Sequence, residues 1–252
     1  MSNEILTKQD GQVLNITINR PDNGNGMTDA MVVEFTGIIR EAPKTSRIVV
    51  VRGAGKDFCI GRAGMGQRPA GSAPPPLPEA FARRNESDIV FDAYGIMRTV
   101  SIPVVAVVQG QALGFGCAIA AACDVTLASD AATFQVPEMG HNIMPGMVMS
   151  SFIDRVPRKA LSYLVWSTNV VSAERALSYG IVSDVFPAAK LDSAVDAFVA
   201  SVLKAPSIAV QGTKEFTKVA YDMPTPGAVD YARNLHSLIN TSSEIRKGGG
   251  GH

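Results

Sequence analysis

Pro103 to Gly146 reads PVVAVVQGQALGFGCAIAAACDVTLASDAATFQVPEMGHNIMPG. Val104 to Val108 is a continuous apolar run rich in β-branched residues, the pattern of a strand covered on both faces. It leads into a glycine-spaced turn, Leu113-Gly114-Phe115-Gly116, and a helix of small residues opens at once. A helix that starts on such a turn has unpaired N–H groups at its first turn. Together with the helix dipole they favour a developing negative charge. Further along, PEMGHNIMPG (Pro137 to Gly146) brings one carboxylate, Glu138, into a loop between Pro and Gly. An anion-stabilising turn and a lone carboxylate point to proton transfer beside a polarised carbonyl.

Working outward, the chain has 252 residues, 46% of them hydrophobic, enough for one large core or a core with an appendage. Lys+Arg and Asp+Glu both number 23, so a net charge of zero gives no support for nucleic acid or a membrane surface as partner. The start, MSNEILTKQDG, lacks an apolar signal core, and no apolar run is long enough to span a bilayer. Cys59, Cys117 and Cys123 have neither metal-ligand spacing nor a disulfide framework, so no metal is expected and a reducing cytoplasm is the expected compartment. A nucleophilic Cys59 is conceivable, but a small buried hydrophobe is the favoured reading of this thiol.

Val13 to Ile18 alternates as a half-buried strand, and Thr28 can cap a helix from Asp29 to about Arg40. Ile48 to Arg52 is a second fully covered strand, followed by a loop punctuated by Gly53, Gly55 and Gly61. Gly64 to Pro78, rich in Pro, Gly and Ala, reads as a surface loop beside the site, either a lid or an insertion. Glu79 to Thr99 reads as a helix, Val125 to Ala128 as a strand, and the chain is mostly helical from Pro157. Strands alternating with helices imply right-handed crossovers and a largely parallel sheet.

Five segments in order resemble the crotonase superfamily, the enoyl-CoA hydratase/isomerase fold. They are VLNITINRPD (Val13 to Asp22), IVVVRGAGKDFCIGRA (Ile48 to Ala63), IPVVAVVQGQALGFGC (Ile102 to Cys117), ACDVTLASDAATFQVPEMGHNIMPG (Ala122 to Gly146) and VVSAERALSYGIVSDVFP (Val170 to Pro187). The resemblance implies an α/β fold with a crotonase-like ββα spiral core over residues 1–190. A C-terminal helical oligomerisation region follows over 191–252, ending in a tag or truncation at 248–252. It also implies an acyl-CoA thioester as substrate, with coenzyme A entering only as part of that substrate and no other cofactor. The assembly it implies is a homotrimer or a hexamer built as a dimer of trimers.

By the same resemblance, the backbone N–H groups of Ile60 and Phe115 are the two oxyanion donors, and Glu138 is the acid/base. Gly61, Arg62, Ala63, Gly114, Ala118, Met139, Met144 and Gly146 are expected around the substrate, with Ile143 and Met147 beside them. Two acidic positions of the family pattern are missing: one is Ala118, where hydrating relatives carry a second glutamate, and the other is Ala63. Arg62 is expected either to meet a CoA phosphate or to sit in solvent. His141 is a candidate second acid/base or water-orienting group, with a structural role as the alternative. Asp124 and Asp130 are expected to brace turns, and Ser150 and Ser151 lack a base nearby in sequence.

One carboxylate can still move a proton from one carbon to another while an oxyanion hole holds the dienolate, so double-bond isomerisation is the leading expectation. Hydration, hydratase-lyase chemistry or thioester hydrolysis, with water held by His141, Asn142 or backbone, is the alternative. A non-catalytic acyl-CoA-binding protein on the same scaffold is the third.

Overall fold

The computed structural model describes residues 3–64, 79–85 and 88–247. All of the Gly64 to Pro78 loop except Gly64, and the terminal 248–252, lie outside the described residues. Two strands, β1 (Ile5–Asp10) and β2 (Val13–Ile18), pair antiparallel, and β2 pairs parallel with β3 (Ile48–Gly53) across helix α1 (Asp29–Glu41). Thr28 caps α1 as its sequence predicts, accepting a hydrogen bond from the Met31 N–H. Helix α2 (Ala80–Asn85) and helix α3 (Asp88–Thr99) occupy the stretch read as one helix, on either side of two residues outside the described set.

Each later turn of the spiral gives one strand to the large sheet, one short strand to a second sheet, and then a helix. Strand β4 (Val104–Val108) is followed by β5 (Gln111–Leu113) and α4 (Phe115–Ala122). Strand β6 (Val125–Ser129) is followed by β7 (Thr133–Gln135) and, after the Glu138 turn, α5 (Gly146–Phe152). Helix α6 (Arg158–Ser167), strand β8 (Val171–Ser172), helix α7 (Ala173–Ser178) and strand β9 (Asp184–Phe186) complete the sheets. The large sheet runs β1-β2-β3-β4-β6-β9, parallel from β2 onward, and the small one runs β5-β7-β8. This is the α/β architecture expected of the resemblance.

Every side chain of β4 is buried, because each face of the sheet has its own cover. Ile16, Val49, Val51, Val104 and Ala106 pack into the main core with α1, α3 and α4. Ile48, Val50, Val105, Val107 and Leu127 pack on the opposite side against Leu191 and Val195 of α8 (Leu191–Lys204). Helix α9 (Ser207–Val219), helix α10 (Thr225–Asn240) and helix α11 (Ser243–Lys247) follow. Helix α9 is pinned to the core by Lys214. Its buried ammonium donates to the Met97 carbonyl (2.9 Å), the Ile102 carbonyl (2.8 Å) and Asp124 Oδ2 (2.7 Å). Asp124 also accepts the Val104 N–H at 2.8 Å, so it braces the start of β4. Among the described residues no single helix is long and apolar enough to cross a membrane.

Candidate active site

Three missing side chains bring the site together. A Cβ on Gly116 would stand 2.0 Å from the Cys59 carbonyl oxygen, so only glycine lets the start of α4 lie against the Cys59–Arg62 loop. The Leu113 N–H donates to that same Cys59 carbonyl (2.9 Å), and the Cys59 N–H donates to the Gln111 carbonyl (3.1 Å). The Gly114 N–H donates to Gln135 at the end of β7 (2.9 Å), which sets the next residues, Pro137 and Glu138, beside the α4 turn. Gly114 itself has φ 49 and ψ −112, and a Cβ there would stand 2.7 Å from Glu138 Oε1. Gly24, bare as well, makes room for the Ile60 side chain.

A cavity of about 720 Å³ opens at this junction. Its walls include Ile60, Gly61 and Arg62 from the first loop, and Gly114 and Phe115 from the second. Glu138, His141, Ile143, Met144 and Met147 line the third side. Four expected residues lie off the wall. Ala118 is fully buried inside α4, Met139 in the 3-10 turn and Gly146 at the start of α5 do not border the cavity, and Ala63 pairs with Met27. Val90 and Tyr94 of α3, which the sequence pattern marks only as helical, border the cavity instead.

Glu138 opens a short 3-10 turn that ends at Asn142 in the left-handed region, φ 58. Its carboxylate is half-buried, with Oε2 buried and unpartnered. Burial pushes its pKa above the ordinary carboxylate value, and its own backbone N–H and the nearby His141 offset this in part. Among the described residues Glu138 is the carboxylate on the cavity wall. His141 borders the cavity from its solvent side.

The first oxyanion loop requires a correction. The Ile60 N–H donates to the Gly24 carbonyl at 3.0 Å, so it is already engaged and cannot meet a ligand oxygen. The next residues pair differently. The Met27 N–H donates to the Gly61 carbonyl (3.0 Å) and the Ala63 N–H to the Met27 carbonyl (2.8 Å). Between these two bonds the N–H of Arg62 faces away from Met27, as alternate residues do in a parallel pairing. Among the described residues neither it nor the Phe115 N–H at the first position of α4 has an acceptor. The available pair is therefore Arg62 and Phe115.

The Arg62 side chain neither reaches out nor sits in solvent. It forms an ion pair with Asp29 at the start of α1, while its Nε is buried and unpartnered. The Cys59 thiol is buried, donates to the Gly61 carbonyl (3.5 Å) and is pushed up to about 12 by that burial, so it is no nucleophile. Ser150 and Ser151 hydroxyls donate to the Met147 and Val148 carbonyls of their own helix. Among the described residues no three His, Cys, Asp or Glu side chains converge as a metal ion would need.

Comparison with known proteins identifies the family. A family model described as enoyl-CoA hydratase/isomerase matches residues 8–251. The (E)-benzylidenesuccinyl-CoA hydratase of Thauera aromatica is 28% identical over 240 residues, covering 92% of this chain and 89% of that one. The mitochondrial Delta(3,5)-Delta(2,4)-dienoyl-CoA isomerase of Rattus norvegicus is 27% identical, covering 96% and 76%. An enoyl-CoA hydratase-type protein of Thermobifida fusca YX, solved in complex with acetoacetyl-CoA, superposes with a TM-score of 0.81 at 27% identity over 93% of this chain and 94% of that one. The chain belongs to the enoyl-CoA hydratase/isomerase family, within the crotonase superfamily, and is an acyl-CoA-processing enzyme of that type.

Proposed function

We propose that the protein moves the double bond of an enoyl-CoA thioester, with Glu138 as the single proton carrier. The thioester oxygen sits between the Arg62 and Phe115 N–H groups. Glu138 removes the α-proton of a 3-enoyl thioester; the C–H pair forms a double bond to the carbonyl carbon, the carbonyl pair moves to the oxygen, and the 3,4 double bond conjugates with the result. The two N–H groups and the α4 dipole stabilise that dienolate. Glu138 then returns the proton to the γ-carbon, leaving the 2-enoyl thioester and a carboxylate as at the start. One observation carries the reading: the Glu138 carboxylate lies against the open N-terminus of α4, while position 118 holds a buried methyl. A carboxyl pKa raised by burial makes the group a stronger proton acceptor than an ordinary glutamate.

The test is product analysis after incubation with matched 2-enoyl, 3-enoyl and aromatic acyl-CoA thioesters. Interconversion of the 2- and 3-enoyl isomers is expected, and recovery of every thioester unchanged in position would refute the reading. For assembly we propose a trimer-based homo-oligomer. Trp166 (75% exposed) and Tyr221 (86%) leave apolar surface open on a single chain, as does the groove between α9 and α10 beside Phe216 and Met223. A monomer by light scattering would contradict it.

A further inference from the structure

We infer that the Arg62–Asp29 ion pair is a positioning device for the reaction: it fixes the direction of the Arg62 N–H that meets the thioester oxygen, and Asp29 is the residue through which it acts. The inference rests on the Arg62 and Phe115 N–H groups as the oxyanion pair. The Arg62 N–H and the Gly61 carbonyl belong to one trans peptide, so they point in opposite directions. The Met27 N–H donates to that Gly61 carbonyl at 3.0 Å, which turns the Arg62 N–H away from Met27. Gly61 itself has φ 119, in the region that glycine enters readily. A peptide attached to so free a residue can rotate unless its far side is also held. The far side is held by the Arg62 side chain, which reaches Asp29 at the first position of α1. Met27 and Asp29 are two residues apart, so one short segment at the entrance to α1 grips residue 62 by its backbone and by its side chain.

The pair serves placement more than stability. The Asp29 side chain is 63% exposed and that of Arg62 14%. Solvent screens an ion pair with one member so open, and such pairs add little to folding. The Arg62 guanidinium is nevertheless largely buried, with Nε unpartnered among the described residues. A buried donor left so costs stability, and the orientation persists only because something holds it. Asp29 is the anion that does. Without it the guanidinium turns toward water, and the Gly61–Arg62 peptide follows. The oxyanion then loses alignment with one of its two donors, while the Phe115 N–H stays in place at the start of α4.

The experiment compares wild type, Asp29→Ala, Asp29→Glu, Arg62→Met, the double variant Asp29→Ala/Arg62→Met, and Thr28→Ala. Each is assayed for kcat and KM with an enoyl-CoA thioester and for thermal melting. Each is also assayed for the infrared stretch of the thioester carbonyl in bound butanoyl-CoA, isotope-labelled at that carbon. A carbonyl polarised by two donors stretches at lower frequency than when free, so this signal reads donor alignment and not fold stability. Arg62→Met keeps the backbone N–H, and Thr28→Ala removes the cap of the same helix without touching the pair. Asp29→Ala and Arg62→Met are each expected to lower kcat about tenfold, a fraction of the ~100- to 1,000-fold that outright loss of one donor costs. KM should stay within about twofold, because the loss falls on the transition state, and the stretch should move part of the way back to its free value. The double variant should lose no more than either single one. Asp29→Glu should restore both readouts. Thr28→Ala should melt lower with kcat and the stretch unchanged. Three results would overturn the inference: Asp29→Ala with wild-type kcat and stretch, single losses that multiply in the double variant, or Thr28→Ala losing kcat as Asp29→Ala does. A wild-type enzyme that leaves the stretch at its free value would remove the oxyanion pair itself, and the inference with it. Failure of Glu138 as proton carrier is read separately, in the turnover of Glu138→Gln, and leaves the carbonyl stretch untouched.

Discussion

Gly114→Ala is the smallest change that reaches the site directly. The added methyl has two effects. It would place an alanine at φ 49, ψ −112, a backbone region that L-residues avoid, at a cost of about 1–3 kcal/mol of stability. Its Cβ would also stand 2.7 Å from Glu138 Oε1, with Glu138 Cδ at 3.6 Å and Pro137 Cδ at 3.9 Å. Ordinary contact requires the carboxylate to retreat by roughly 0.7 Å. Displacements of that order at a reacting group cost about 10- to 100-fold in rate. The assay is isomer interconversion at saturating thioester, with thermal melting and acyl-CoA binding measured on the same samples. The expected result is a lower kcat, a Tm a few degrees down, and binding that persists because the Phe115 and Arg62 N–H groups stay in place. Gly37→Ala in α1, where a Cβ meets nothing within 4 Å, is the control and should leave kcat unchanged. A folded Gly114→Ala enzyme with wild-type kcat would refute the placement of Glu138.

Two further perturbations probe other parts of the account. Lys214→Met removes the ammonium that joins α9 to Asp124 and two carbonyls, leaving those groups buried without their donor; a loss of roughly 3 kcal/mol or more is expected in denaturant unfolding, and an unchanged midpoint would contradict it. Burial raises the Glu138 pKa above 4.5. The base form is then populated only as pH climbs through that raised value, so kcat should rise with pH through an apparent pKa above the ordinary carboxylate value. For stability the sign runs the other way. A folded pKa above the unfolded one gives stability that is present below about 4.5 and lost as pH rises through the folded value. Glu138→Gln should accordingly melt higher than wild type at neutral pH, with the gap closing in acid; a gap that widens in acid would contradict the burial argument.

The long elements were legible in the sequence because their patterns are strong. The unbroken apolar runs at Ile48–Val51 and Val104–Val108 require cover on both faces, and the structure supplies it from two separate clusters. Thr28 announced its helix by side-chain chemistry alone. The short strands β5 and β7 escaped notice because three residues carry no usable period. Strand β1, exposed at all but one position, is held by its partner and not by its own pattern. The glycine turn and Glu138 could be read as a site because both are local. Which N–H of the first loop is open could not be, since the Met27 pairing that turns Arg62 outward and the Gly24 carbonyl that occupies Ile60 both come from a distant segment. That α3 borders the cavity through Val90 and Tyr94 has no sign within the helix itself, because it depends on packing against other elements. Lys214 likewise gave no local sign of being buried.

The central claim is that Glu138 carries the proton between substrate carbons. Glu138→Gln keeps the side chain's size and polarity but cannot take a proton. The decisive measurement is its turnover of an enoyl-CoA thioester beside its dissociation constant for a saturated acyl-CoA. Turnover is predicted to fall by about 100-fold or more with the dissociation constant near wild type, because only the proton-transfer step is lost. Wild-type turnover in this variant would contradict the claim, and the isomerase reading would fall with it.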